Sequence, residues 1–318
     1  MAWRKLSEHI TVISNTQSSN IYYLDYDRKV LIDTGHSAER KMILADMQNC
    51  DIHLENVDAV LITHAHVDHI GNAAFFHSIC PNIQIIVSEQ HEQFFKQQTE
   101  FQTTEEINAV ADKYTPTQIV HDGDLISLND NNALKVISTP GHTSDSISFW
   151  LESEKILFSG DTIYNGVVPQ LDIYQPLPLG LRWLTDTYQR LQSLPIQMIC
   201  PGHGHQIENV TENFEMISRK LRKFAAVPDL VIINNLIPTV EHYINDHPGV
   251  TQQKIVEYFA VKYEEMQHKG FLDFDKPVSP YSVLINKVLM MMQYLQMVYY
   301  DDDGTAHLSS EVNHYIKG

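Results

Sequence analysis

The sequence predicts a mixed α/β (α+β) fold, in which two β-sheets pack face to face with helices outside, followed by a smaller, mainly helical segment. Short runs rich in β-branched residues recur between Ile10 and about His203, with helical patterns between them. Strands interleaved with helices and hairpins favour a layered arrangement of sheets and helices. After Gly204 the strand-like runs give way to helical ones, which marks the second segment.

The predicted strands are short and apolar, as expected for residues that fit a pleated, buried surface. In chain order they are Ile10–Ile13, Ile21–Leu24, Val30–Ile32, Val57–Ile62, Ile83–Val87, Leu134–Ser138, Ser146–Leu151, Lys155–Phe158 and Met198–Cys200. Helices are predicted between them at Ala38–Met47, Gly71–Ser78, Ser88–Phe95, Thr104–Lys113 and Leu179–Ser193.

The change of pattern predicts two domains, a larger one over residues 1–209 and a smaller helical one over residues 210–318. The helices of the second are expected at Thr211–Ala226, Val231–Asn245, Thr251–Gln267 and Ser282–Met297. The chain then shows a hairpin pattern, with Asp303 and Gly304 at its turn, because Asp-Gly is a strong turn signal.

Composition and charge limit the cellular compartment and the binding partners that can be expected. The formal net charge of −18 gives a surface field that repels polyanions. The 3 cysteines are few and odd in number, so a disulfide framework is not expected. The first residues, Met1–Glu8, have no apolar signal core, and no run is long enough to span a bilayer. We therefore expect a cytoplasmic protein that binds neither nucleic acid nor membrane.

The segment Thr63–Gly71 is the strongest functional signal in the chain. It follows a predicted buried strand and carries the metal-binding side chains His64, His66, Asp68 and His69. His64 and His66 are two residues apart, so on an extended backbone they point the same way. The concentration of ligands favours a pair of metal ions over a single one.

Three later segments repeat the order of strand, turn and ligand. A ligand-type residue next to a glycine follows a predicted strand in each case, and these residues are His142, Asp161 and His203. Imidazole and carboxylate groups together suit zinc, iron or manganese, and an open site with such ligands can activate water.

This ordered set of residues resembles the metallo-β-lactamase superfamily of metal-dependent hydrolases. Val30–Gly35 matches that family's first motif, and His121–Asp124 resembles a recurring strand-entry turn. The resemblance covers roughly residues 10–207. It implies an αββα sandwich with the metals at one edge between the sheets.

The resemblance also implies a role for each residue of the set. One metal would be bound by His64, His66 and His142, the second by Asp68, His69 and His203, and Asp161 would bridge the two. Zinc is the expected metal, with iron or manganese as alternatives. A hydroxide between the metals would be the nucleophile, and Asp68 would accept a proton after the attack. Asp33 would hydrogen-bond a ligand or the turn that presents it.

The loop Ile163–Pro176, which follows Asp161, is expected to line the substrate pocket. Tyr164 and Tyr174 are the candidates for substrate binding, although both tyrosines could instead simply pack. An apolar pocket with few polar groups suits a small organic ester, thioester or lactone. Asp145 replaces the commoner glycine of the turn after His142, a departure that resembles thioesterase-like members of the family. The chain lacks the basic C-terminal pattern of glyoxalase II, which disfavours a glutathione thioester.

The C-terminal segment resembles the winged-helix-like tail of some members of the family. Its Ser282–Met297 helix carries only Lys287 as a base, so DNA binding is not expected. The apolar stripe of this helix is expected to pack internally, to cover one wall of the active site or to mediate a homodimer.

Three functions remain open. The first is hydrolysis of a small ester, thioester or lactone. The second is a phosphodiesterase or nuclease activity, which the acidic charge disfavours. The third is a regulatory, metal-binding role exerted through the C-terminal segment.

Overall fold

The computed structural model describes residues 3–14, 19–101, 115–172, 174–275, 278–301 and 303–309. The predicted helix Thr104–Lys113 lies outside these residues. The described chain forms a 7-stranded sheet, a 5-stranded sheet and a 2-stranded hairpin.

The first sheet contains the N-terminal strands in chain order. They are β1 (Trp3–Lys5), β2 (Ile10–Ile13), β3 (Ile21–Asp25), β4 (Lys29–Ile32), β5 (Ala59–Leu61), β6 (Gln84–Ser88) and β7 (Gln118–Val120). The pairs from β1 to β4 are antiparallel, and those from β4 to β7 are parallel. Parallel strands put their carboxyl ends at the same edge of the sheet, which brings the loops after β4 and β5 together.

The second sheet has the order β12-β11-β10-β9-β8. Its strands are β8 (Leu125–Ser127), β9 (Ala133–Ser138), β10 (Ile147–Leu151), β11 (Ile156–Gly160) and β12 (Met198–Pro201). All neighbours are antiparallel except β11 and β12, which are parallel. The turn predicted at His121–Asp124 connects β7 of the first sheet to β8 of the second.

The helices surround these sheets and fill the C-terminal segment. They are α1 (Arg40–Asn49), α2 (Val67–Ile70), α3 (Ala73–Ile79), α4 (His91–Phe101), α5 (Leu177–Leu191), α6 (Val210–Ala226), α7 (Pro228–Asp246), α8 (Gln252–His268) and α9 (Tyr281–Tyr294). The C-terminal hairpin follows, with β13 (Val298–Tyr300) and β14 (Ala306–Leu308) paired antiparallel.

Alternation along the strands divides the core into layers, because successive side chains of a strand point to opposite faces. On β3, Tyr22 and Leu24 join Phe149 and Phe158 of the second sheet in the cluster between the sheets. Tyr23 belongs to a cluster that packs the outer face of the first sheet against α1 and α3. The predicted αββα sandwich is confirmed.

The outer face of the second sheet shares its core with the C-terminal segment. Ile137 and Trp150 of this sheet belong to the same buried cluster as Leu184 of α5, Ile232 of α7 and Leu289 of α9. The helical C-terminal region is confirmed, while the domain boundary at 209/210 and the winged-helix likeness stay predictions. Met290 and Tyr294 of α9 are exposed, and the homodimer through this segment also stays a prediction.

Among the described residues, no single helix is both long and apolar enough to cross a membrane. Only α6 and α7 taken together meet that standard of length and composition, and they are bent by 115° at the break between them.

Candidate active site

The candidate ligands lie on the segments that follow strands of both sheets, Asp68 and His69 within the short helix α2. His64, His66, Asp68 and His69 follow β5, His142 follows β9, Asp161 follows β11 and His203 follows β12. Strand ends fix the start of each loop, so side chains from distant parts of the sequence meet at one edge of the sandwich.

Three imidazoles form the first cluster. His66 Nδ1 lies 3.0 Å from His64 Nε2 and 3.1 Å from His142 Nε2. An Asp161 oxygen completes the group, and the four ligand atoms all lie within 4.8 Å of one another. The structure thus brings together the three histidines predicted for one metal.

The second cluster adjoins the first. His203 Nε2 lies 3.1 Å from Asp68 Oδ2, and His69 Nε2 lies 3.6 Å from the same oxygen. Asp161 reaches both clusters, because its Oδ1 is 3.3 Å from His69 Nε2 and its Oδ2 is 3.5 Å from His142 Nε2. Asp161 therefore lies between the two clusters, and its role as a bridging ligand stays a prediction.

Asp33 orients the second cluster from behind. Its Oδ2 accepts a hydrogen bond from His69 Nδ1 at 2.8 Å, and its Oδ1 accepts one from Thr63 N at 2.9 Å. Asp33 is buried and has a φ of 61°, a strained backbone conformation for a residue other than glycine. With its Nδ1 engaged, His69 presents Nε2 to the cluster, which is how a carboxylate positions a metal-bound histidine.

The residues present fit metal ions. His69 Nε2 and Asp161 Oδ1 are buried and have no hydrogen-bond partner, which is costly unless another ligand is bound there. A Cβ on Gly202 would overlap Asp161 Oδ1 and lie 2.8 Å from His69 Cε1, so only glycine leaves room for these two side chains. Imidazole nitrogens together with carboxylate oxygens are the donors that zinc takes in open sites.

Burial sets the protonation of the first cluster. Burial, reinforced by neighbouring imidazoles, lowers the pKa of His66 to about 3 and that of His64 well below its usual value. Burial also lowers the pKa of His142, against the opposing effect of Asp161. All three rings are therefore neutral near pH 7, and a neutral imidazole has the lone pair that a metal needs.

The carboxylates reverse this effect in the second cluster. Burial opposes the charged forms of His69 and His203, but Asp161 and Asp68 outweigh it, raising the pKa of His203 to about 10 and that of His69 well above its usual value. Burial likewise opposes ionisation of Asp68 and Asp161, but the histidines lower both carboxyl pKa values. In this half of the site two carboxylates therefore face two histidines, and each pair of groups favours the charged form of the other.

The clusters open into a pocket of about 470 Å³. Its lining combines the ligand candidates His66, Asp68 and His142 with the apolar or aromatic residues Phe94, Leu171, Tyr174 and Pro238. Asp172, Thr239 and His242 also line the pocket. The part of the C-terminal segment that lines the pocket therefore belongs to α7 and not to the apolar stripe of α9.

The two tyrosines predicted to bind substrate lie in different positions. Tyr174 is 8% exposed, lines the pocket and contacts Phe94 edge to face with 5.6 Å between ring centroids. The Tyr164 ring lies 6.2 Å from that of His203, and burial together with the nearby Asp161 raises the pKa of its hydroxyl well above the usual value. Tyr174 is placed to touch a ligand in the pocket, and Tyr164 is placed to support the metal site; their roles in binding stay predictions.

Sequence reasoning missed several residues around the site. Asp172 accepts hydrogen bonds from Ser144 N at 3.1 Å and Tyr174 N at 2.7 Å, and it joins the loop after Asp161 to the turn that carries His142. His91 also lies near the site, and its Nδ1 is 3.3 Å from Oδ2 of the buried Asp145. The unusual acid in that turn was the available signal for this pair, because a buried carboxylate needs a partner.

The chain matches a protein family and several known proteins. The family model of the Metallo-beta-lactamase superfamily matches residues 15–203, which include every candidate ligand. An atrochrysone carboxyl ACP thioesterase from Aspergillus fumigatus is 27% identical over 248 residues, which are 76% of this chain and 68% of that protein. A hydroxyacylglutathione hydrolase from Francisella tularensis subsp. novicida is 30% identical over 161 residues, 48% of this chain and 51% of that protein.

A solved structure shares the fold over nearly the full length. A metallo-beta-lactamase family protein from Thermus thermophilus covers 96% of this chain and 98% of its own, with a TM-score of 0.53 and 18% identity.

Proposed function

The chain belongs to the metallo-β-lactamase superfamily and is a metal-dependent hydrolase, and from this premise we propose that it cleaves an ester-type bond, above all a thioester, in a small organic acyl compound. The observation that carries the proposal is the convergence of two ligand clusters on a pocket whose lining includes Phe94, Leu171, Tyr174 and Pro238. Apolar contact suits an acyl group, and the ligand clusters face the carbonyl that must be attacked.

The charges of the residues that line the pocket further limit the class of substrate. Among the described residues that line the pocket, none is lysine or arginine, while Asp68 and Asp172 are acids. A phosphodiester or the two carboxylates of glutathione would be repelled, since nucleic-acid and phosphate sites carry basic groups. The names of two relatives, a thioesterase and a hydroxyacylglutathione hydrolase, support thioester cleavage as the reaction. We therefore propose a thioester or ester with an uncharged leaving group.

The seven ligand side chains would hold two metal ions, zinc in the first place. Bound metal ions lower the pKa of water and stabilise the negative charge of the attacked carbonyl. Asp161 would keep the two halves of the site together. Asp68, whose side chain is 29% exposed and lines the pocket, would take up a proton from water and return it to the leaving group. Phe94 and Tyr174 would hold the acyl chain.

The proposal is tested by metal analysis of the chain purified without added metal, followed by a panel of substrates. The panel contains butyryl-N-acetylcysteamine as the neutral thioester, S-lactoylglutathione as its anionic counterpart, p-nitrophenyl butyrate and bis(p-nitrophenyl) phosphate. We expect two metals per chain and the highest kcat/KM on the neutral thioester. Turnover of the phosphodiester alone, or the absence of stoichiometric metal, would overturn the proposal.

A matched pair of variants ties this activity to the site. His203→Ala removes a ligand, whereas His205→Ala removes an exposed histidine two residues away that belongs to neither cluster. We expect His203→Ala to abolish turnover and His205→Ala to keep it. Equal losses in both variants would contradict the assignment of His203.

A further inference from the structure

The loop between Asp161 and α5 is held by side-chain amides of the C-terminal helices. Described residues of this loop form neither helix nor strand, so their backbone groups need partners from elsewhere. Asn213 of α6 accepts from Gly166 N at 2.6 Å and donates to Tyr164 O at 3.2 Å. Asn234 of α7 donates to the carbonyl oxygens of Val168 and Pro169.

Asn235 makes the most complete of these contacts. It is 5% exposed, its Oδ1 accepts from Leu171 N at 3.1 Å, and its Nδ2 donates to Leu171 O at 3.0 Å. The amide thus pairs with both backbone groups of one residue, as a neighbouring strand would. Gln170 also binds α7 through its side chain, because its Nε2 donates to Asn235 O at 2.8 Å and to Thr239 Oγ1 at 3.2 Å.

The peptide group that Asn235 binds also binds a metal ligand. The N–H of Leu171 and the C=O of Gln170 belong to the same peptide, and that C=O accepts from His142 Nδ1 at 2.9 Å. A chain of hydrogen bonds therefore runs from His142 through this peptide to Asn235. Each bond in such a chain polarises the next, so the bond from Leu171 N makes the Gln170 carbonyl a better acceptor.

We propose that Asn235 is a positioning residue, which fixes the orientation and tautomer of His142 through the Gln170–Leu171 peptide and so makes the C-terminal helix α7 part of the metal site. With its Nδ1–H bound to the carbonyl, the imidazole directs Nε2 at His66 and Asp161. The inference rests on the proposed role of His142 as a metal ligand. Residues that orient a ligand in this way affect metal affinity strongly.

The test compares Asn235→Leu with Asn234→Leu. Both remove an amide that holds the same loop from the same helix, but the Asn234 contacts reach Val168 and Pro169 and not the peptide bound to His142. We expect Asn235→Leu to weaken one of the two zinc sites by about 10- to 100-fold and to leave the other unchanged, as for other outer-shell partners. The Co²⁺-substituted protein should show a changed visible spectrum for that site. We expect Asn234→Leu to shift neither.

A double variant distinguishes positioning from a general structural role. In a His142→Ala background the imidazole at the end of the hydrogen-bond chain is absent. Asn235→Leu should then have no further effect on zinc affinity. An undiminished loss in that background, or equal losses in Asn234→Leu and Asn235→Leu, would overturn the inference. If the wild type binds no zinc, the proposed function fails instead.

A measurement on the wild type needs no variant to fold. Long-range ¹H–¹⁵N correlation of the zinc-bound protein should show His142 with its proton on Nδ1. A proton on Nε2 would contradict the inference even if both variants are unstable.

Discussion

At the scale of single residues, each carboxylate oxygen of Asp161 has its own surroundings. Oδ1 lies 3.3 Å from His69 in the second cluster, whereas Oδ2 lies between the clusters, 3.5 Å from His142 and 3.4 Å from His203. The side chain is 6% exposed, so water cannot replace it readily. The two clusters therefore depend on one residue, and its loss should affect both.

Asp161→Ala should leave at most one weakly held metal per chain. Among the described residues, Asp161 is the only carboxylate close to histidines of both clusters. Its removal takes away one ligand from each cluster. Metal content after gel filtration in metal-free buffer measures the effect, with His205→Ala as the control. Two metals at full occupancy in Asp161→Ala would show that this residue does not bridge.

Asp172 is predicted to make stability depend on pH. Burial raises the pKa of its carboxyl from 3.8 to about 6 in the folded chain, despite two backbone hydrogen bonds that oppose the shift. Between these values the folded state keeps the proton and the unfolded state loses it, so stability falls as pH rises. The contribution of Asp172 is fully present below pH 3.8 and lost above about 6.

The comparison with Asp172→Asn isolates this effect, because both proteins share every other titrating group. Relative to the wild type, the free energy of unfolding of Asp172→Asn should increase by up to about 3 kcal/mol between about pH 4 and about pH 7. Urea denaturation at fixed metal concentration measures it. A difference that is constant over this range would contradict the prediction, whatever its sign.

At the scale of elements, a buried pair connects α4 to the turn between β9 and β10. His91 begins α4, and Asp145 lies in the turn that carries His142; both side chains are nearly inaccessible to water. The pair thus joins the helix that contributes Phe94 to the pocket and the turn that carries His142. Breaking such a pair leaves one polar group buried without its partner, which is more costly than removing both.

A double-mutant cycle should reveal this coupling. Asp145→Ala and His91→Ala are each expected to lower the free energy of unfolding by about 3 kcal/mol, and the double variant by clearly less than the sum. Thermal or urea unfolding of the four proteins gives the coupling energy. Additive losses would show that the two side chains do not stabilise each other.

Elements with strong apolar patterns were predictable, and weakly patterned ones were not. The nine strands expected from β-branched runs all occur, and none of their ends differs from the prediction by more than two residues. The missed strands are β1, β7 and β8, which are three residues long and largely exposed. Such strands form because a neighbouring strand offers hydrogen bonds, and a local pattern of hydrophobicity does not record that.

The candidate site likewise contains residues that could be predicted from the sequence and residues that could not. The ligands could be identified because they stand in ordered local motifs, whereas Asn235 and Gln170 act through contacts across 65 residues. The sequence contains one indication of these contacts, because Asn234 and Asn235 interrupt the apolar run of α7. Polar residues at a buried position of a helix point to hydrogen-bonded partners, but the sequence does not say which ones.

At the scale of the whole molecule, the two predicted domains share a core. The outer face of the second sheet, with Trp150 and Leu157, belongs to one buried cluster with Ile232 and Leu289 of the C-terminal helices. Inter-domain contacts that permit independent folding are smaller and more polar than this. The sequence pattern changes clearly near residue 209. Truncation at this position tests whether the first 209 residues fold independently of the C-terminal helices.

We expect residues 1–209 alone to fail to fold as a soluble, metal-binding unit. Removal of α6–α9 would expose the apolar outer face of the second sheet and would take away Asn213, Asn234 and Asn235, which hold the loop after Asp161. Large exposed apolar patches lead to aggregation. Expression of the truncated chain, followed by dye binding, urea denaturation and metal analysis, measures the outcome. A cooperative unfolding transition together with two bound metals would establish the first 209 residues as an independent domain and would contradict the coupling proposed for α7.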